Sequence, residues 1–250
     1  MRKLVVAALA ALMSVALAAV AIAQGTAATA ELTIKPSKAG TKSDPKAVSL
    51  KLFVKNNVKA TTASQIDILL PRNVRAGGKG LAKCDKAKLG SQGLSACPSG
   101  SKAGGGFANA LLNPTGANPA PLKFKVTSFN GGTSSILFYL QQVNPQNNAV
   151  IPSGVSRALE GKLGRATGSA YFQRLRIVIP GDLQQPATGV YSALQDLETT
   201  LKLTKGDNSL LTTIGCKSKK HQLGVVITYA PNPNPPPVPS SRGQDTTACS

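Results

Sequence analysis

Chemistry in this chain would have to come from very few residues. Cys84 and Cys97 stand thirteen positions apart in "KCDKAKLGSQGLSACPSGSKAGGG", Lys83 to Gly106, among lysines and ahead of three consecutive glycines. A zinc site needs about four converging ligands, usually C-x2-C pairs or histidines. Here the spacing is C-x12-C and the single histidine is His221. A redox pair would be C-x-x-C, and an oxidising exterior opposes free thiols, so the expected role is a structural disulfide. Neither metal nor any other cofactor is expected. Glycine backbone can cradle a phosphate, but neither GxxxxGK[ST] nor GxGxxG occurs after the N-terminal apolar run. Gly104 to Gly106 read instead as a turn from the cystine loop into a strand, "FANALL".

His221 would be the sole imidazole base. It sits in "KSKKHQL", after a run of lysines and at a strand start, with no G-x-S-x-G elbow elsewhere, and reads as a solvated loop histidine. Asp196 and Glu198 lie two apart in "QDLET", hence on one strand face, as a glycosidase pair might be presented. Outward polar residues flanking Leu197 account for them equally well. No catalytic residue is therefore assigned. The enzymatic alternative is an extracellular hydrolase on a jelly-roll-like sandwich using Asp196, Glu198 or His221. A protein-adhesion module is the other alternative.

The elements that must carry these residues alternate with period two. "VSLKLFVK" puts Val48, Leu50, Leu52 and Val54 on one face and lysines on the other, and "SQIDILLP" repeats this with Ile66, Ile68 and Leu70. Leu122, Phe124 and Val126 alternate with Lys123, Lys125 and Thr127 before Asn130-Gly131-Gly132, which predicts a hairpin. Leu175, Ile177 and Ile179 alternate with Arg174 and Arg176, and "DLETTLKLT" and "QLGVVITYA" follow the same rule. Helical periodicity is nearly absent beyond the N-terminal run. The predicted fold is all-β: an antiparallel β-sandwich, Ig-like or jelly-roll-like, with two disulfides.

The chain opens "MRKLVVAALAALMSVALAAVAIAQ", two cations followed by an apolar run ending in Ala21-Ile22-Ala23, the layout of a secretory signal with an A-x-A site. An uncleaved anchor is the competing reading, and export holds under both. Residues 1–23 are the expected signal peptide, 24–46 a flexible basic segment with a short strand at "ELTIK", and 47–250 one sandwich domain. "APNPNPPPVPSSRG", 230–243, reads as a stiff Pro-rich loop within the last hairpin.

Cleavage would leave 27 cations against 10 carboxylates, a formal charge of +17. An exported chain this basic is drawn to polyanions, here anionic cell-wall polymer or the envelope surface, through nonspecific, salt-sensitive contacts. Lys217, Lys219 and Lys220 in "CKSKKH" are the candidate contacts. With no Trp, four Tyr and six Phe, the chain offers few stacking platforms for sugars, and no specific nucleic-acid partner is expected. No transmembrane span remains after cleavage. The oligomeric state is left open. The expected protein is secreted, envelope-associated and non-enzymatic.

Four cysteines allow three connectivities, one of which joins nearest neighbours. The run from Ile66 to Ala110, with Leu70, Pro71, Cys84, Cys97, Pro98, Gly100, Ser101 and Gly104 at its marked positions, resembles uncharacterised exported proteins of high-GC Gram-positive bacteria. In them an "LP" strand end leads to C-x12-CP, then G-S, then a glycine-rich strand start. "TTIGC" and the late Cys249 look like the same family's closing cystine. The resemblance implies a β fold and the pairs Cys84–Cys97 and Cys216–Cys249, and it implies no activity.

Overall fold

A computed structural model describes residues 28–216, 218–231 and 239–250. The expected signal at 1–23, Lys217 and positions 232–238 of the Pro-rich tract lie outside the described residues. The first alternating segments become β1 (Ala28–Lys35) and β3 (Ser49–Asn56), paired antiparallel, with the two-residue β2 (Lys46–Ala47) between them. Ala28, Ala30, Leu32 and Ile34 of β1 are buried, so the N-terminal strand begins three residues before "ELTIK" and belongs to the core.

β4 (Ala63–Pro71) buries Ile66, Ile68 and Leu70 and is followed by the short β5 (Val74–Ala76). β6 (Lys102–Leu112), β7 (Ala120–Asn130), β8 (Ser135–Val143) and β9 (Ser156–Arg165) form a meander, and β10 (Tyr171–Val178) leads to β11 (Ser192–Leu201). β12 (Thr204–Lys205) and β13 (Asn208–Ser209) make a small hairpin, and β14 (Leu211–Thr213) lies between β2 and β5. β15 (Lys220–Tyr229) and β16 (Ser240–Ala248) close the chain.

Eleven of these strands form one antiparallel sheet in the order β1-β3-β11-β6-β7-β8-β9-β10-β4-β15-β16. The sheet rolls until its edges meet: Leu32 N donates to Asp245 Oδ2 across 2.6 Å, and a Cβ on Gly243 would sit 2.9 Å from Ala28 O. The result is a near-barrel whose facing walls pack as a sandwich around one apolar core. Edge strands that cover each other in this way leave little unpaired backbone exposed. Both disulfides of the sequence reading are present, Cys84–Cys97 and Cys216–Cys249.

The cystine stretch is a clamp, and its construction differs from the expected coil. Asp85 caps a short helix, Lys86–Gln92, by accepting from Lys88 N at 2.9 Å, and Leu89 of that helix is fully buried. Leu89 packs with Cys84, Phe129, Leu137 and Tyr139 into a second apolar cluster outside the barrel wall. This explains the unbroken "SILFYL": Ile136, Phe138 and Leu140 serve the barrel core, while Leu137 and Tyr139 serve the clamp.

Gly104 to Gly106 do not form a turn before a strand. They lie inside β6, because it passes so close to β7 and β11 that a Cβ at each would overlap Thr200 O, Val126 O and Glu198 O respectively. The Pro-rich loop is also shorter than predicted. Ser240 to Gly243 pair with Thr228 to Val225 in β16, since the prolines end at Pro239 and free backbone N–H groups follow.

Candidate functional site

The residues considered for catalysis are scattered and occupied. Asp196 and Glu198 do face outward on β11, where Asn109 Nδ2 donates to Asp196 Oδ1 at 2.6 Å and Lys51 Nζ lies 2.6 Å from Glu198 Oε1. His221 sits on β15, flanked by β4 and β16, and the fold does not bring it to either carboxylate. It is not a solvated loop histidine. The ring is wholly buried because β15 begins one residue earlier, at Lys220, and alternation turns position 221 inward. His221 Nδ1 lies 2.9 Å from Asn73 Oδ1, and burial lowers the ring's pKa from its usual value.

One carboxylate is buried, Asp67 of β4. Arg176, directly across on β10, forks onto it with Nε–Oδ1 and Nη2–Oδ2 both 2.9 Å, and Gln65 Nε2 donates to Oδ2 at 3.1 Å. The hydrogen bonds to Asp67 raise the Arg176 pKa, and the pair is geometrically complete as a structural tie. Among the described residues no group of three or more His, Cys, Asp or Glu could hold a metal ion, and no helix is long and apolar enough to cross a membrane.

Two other features stand out, at opposite ends of the barrel. At one end β14 binds the start of β3's lead-in and the exit of β4: Thr212 pairs with both Ala47 and Arg75. Cys249 N donates to Lys219 O and Ala39 N to Ser250 O, which draws the 36–47 loop and the start of β15 to the same end. Exposed Lys38, Lys42, Lys46, Arg72, Lys219 and Lys220 gather here, and half-buried Arg75 stacks 3.4 Å above the Phe172 ring. Asp44, 4.0 Å from Lys46 Nζ, is the one acidic side chain in these segments. Lys219 and Lys220 are therefore surface cations in a larger basic cluster. Sequence reasoning picked them by local spacing and missed Lys38, Lys42, Lys46 and Arg72, which only the fold brings near.

At the other end the core opens into a cavity of about 120 Å³. Its walls carry Leu122, Phe124 and Val126 of β7 and Phe138 and Leu140 of β8, and small side chains, Ala108 and Ala110 of β6, leave the space. The connection from β10 to β11 crosses its mouth as a short helix, Gly181–Gln184, that contributes Asp182 and Leu183. Three ties fix this cover: Arg157 Nε to Asp182 Oδ2 at 2.5 Å, Gln184 Nε2 to Ile179 O at 2.6 Å, and Ser192 Oγ to Leu183 O. Sequence reasoning missed the cavity altogether. An inward alanine among large apolar neighbours was the available signal.

Compared with protein-family models, with curated proteins and with solved structures, the chain finds no match.

Proposed function

We propose that this is an exported, non-enzymatic binding protein that attaches to anionic envelope polymer through the cationic end of its barrel. The observation that carries this reading is the cluster of Lys38, Lys42, Lys46, Arg72, Lys219 and Lys220, exposed around a single acidic side chain, Asp44. Long, solvated cations of this kind recognise charge density and no particular sequence or sugar, so the contact is nonspecific and fades with salt. Two disulfides on the outside of an otherwise well-packed barrel agree with an oxidising compartment. No observation favours the hydrolase over this reading, since Asp196 and Glu198 are held by Asn109 and Lys51 and His221 is enclosed.

The test is co-sedimentation of the purified protein with isolated cell envelopes as salt is raised. Each lysine near an anionic surface contributes about 1 kcal/mol, so Lys219→Ala with Lys220→Ala should weaken attachment about 30-fold at low salt. Attachment that ignores both salt and these substitutions would overturn the proposal.

A further inference from the structure

The structure assigns a second binding site, independent of the cationic end: we infer that the cavity under the Gly181–Gln184 cover takes the hydrocarbon chain of a single-chain amphiphile. Among the described residues the only polar side chains in the lining are Asp182 and Ser192, both at the mouth, and both are already engaged, with Arg157 and with Leu183 O. Among the described residues no polar side chain lies deeper. A sugar, nucleotide or peptide would lose its water there with no replacement, which a buried polar group does not tolerate.

An alkyl chain has nothing to lose. The lining residues Leu122, Phe124 and Val126 follow one face of β7, so the apolar wall runs about 13 Å along the strand at the usual rise per residue. At about 120 Å³ the space approaches that of an engineered protein cavity, about 150 Å³, that holds benzene. It therefore fits the end of a chain and leaves the head group outside. The mouth suits that arrangement. Val155, itself part of the lining, is 38% exposed, and Val150 in the preceding loop is 44% exposed, giving a chain an apolar route in. The Arg157–Asp182 pair beside them is neutral as a unit and exposed enough for a hydrated head group to rest against it. Closed sheets of this kind, with side chains drawn back from one end, are a recurrent way for barrels to enclose small apolar ligands.

The experiment is calorimetric titration of the purified protein with straight-chain primary alcohols, from butanol to decanol. Burial of methylenes should tighten Kd about fourfold per added carbon until the cavity is full, after which the trend should flatten. Ala110→Trp, which fills the space from the β6 wall, should abolish binding while leaving the thermal melt intact. Leu194→Phe, on the β11 wall, serves if Ala110→Trp does not fold. Lys219→Ala with Lys220→Ala should bind the alcohols normally, so failure here and failure of envelope attachment are distinguishable. Incubation with phosphatidylcholine vesicles, followed by extraction of the protein, separates a membrane-lipid source of the chain from a free amphiphile, and a chain recovered from either supports the site. Absence of binding, binding indifferent to chain length, or binding that survives both cavity-filling variants would overturn the inference.

Discussion

Mild acid should destabilise this protein through His221. The ring is wholly buried, and Asn73 fixes its tautomer: the Asn73 amide nitrogen donates to Gly215 O, so its oxygen faces the ring and Nδ1 must carry the proton. Nε2 is left with a lone pair and, among the described residues, no partner. Protonating Nε2 would place a charge in the core with nothing to receive it, and burial lowers the pKa accordingly. In the unfolded chain the same ring takes its proton near the ordinary value of about 6.5. The unfolded state then binds one proton more than the folded state as pH drops below that value. Stability is complete above it and declines below it, by at most about 1.4 kcal/mol per pH unit. Urea unfolding from about pH 8 to about pH 5 measures this, with His221→Gln as the reference because its amide can still donate to Asn73 Oδ1 and does not titrate. The wild-type curve should fall away from the variant's on acidification. Parallel curves would show that the ring charges as easily folded as unfolded, and would refute the argument from enclosure.

Gly106→Ala should destabilise by about 1–3 kcal/mol, since the new Cβ overlaps Glu198 O and β6 cannot move without also disturbing β7; a urea midpoint unchanged from wild type would mean the strands spread freely. The disulfides should differ in worth according to the chain they enclose. Replacing Cys84 and Cys97 by alanine should cost about 3 kcal/mol and replacing Cys216 and Cys249 about 4 kcal/mol on the loop-entropy account, and a reversed order in denaturant unfolding would contradict it.

What the sequence disclosed follows from which interactions are local. Alternation along "SLKLFVKN" and "SQIDILLP" reports burial directly, because a strand turns successive side chains to opposite faces, and those core residues lie where the pattern puts them. The hairpin at Asn130-Gly131-Gly132 is likewise local, and Gly132 has a φ of +123°. Long-range packing was not readable. Gly104 to Gly106 look like a flexible turn until β7 and β11 are seen pressing on them. His221 looks solvated because lysines precede it, yet β15 starts at Lys220 and carries the ring inward. The short helix was hidden by glycine and serine within "KAKLGSQ", and its stability comes from the Asp85 cap and Leu89's burial in a cluster made by β7 and β8. The cavity is the extreme case. Leu122, Phe124 and Val126 have the same alternation whether the space in front of them is filled or empty, and the difference lies in Ala108 and Ala110, which only the pairing of β6 with β7 sets beside Phe124 and Leu122.

The two proposed sites constrain one another through strand direction. β4 begins at Ala63, beside the cavity, and ends at Pro71, from which Arg72 emerges into the cationic end. The antiparallel order carries this polarity around the sheet, so the cationic end and the mouth point in opposite directions. A molecule held to anionic polymer by Lys38, Lys42, Lys46, Lys219 and Lys220 therefore presents its mouth to the surrounding medium. Chain binding and polymer attachment need not compete for the same surface, and a ligand can enter or leave without detachment. The coupling between them should accordingly be near zero: a saturating alcohol should leave envelope co-sedimentation unchanged, and polymer should leave the alcohol Kd unchanged. A clear effect of either ligand on the other would mean that the barrel transmits a rearrangement from the β14 end to the Gly181–Gln184 cover, against the rigid packing that the shared core of β4, β10 and β15 implies.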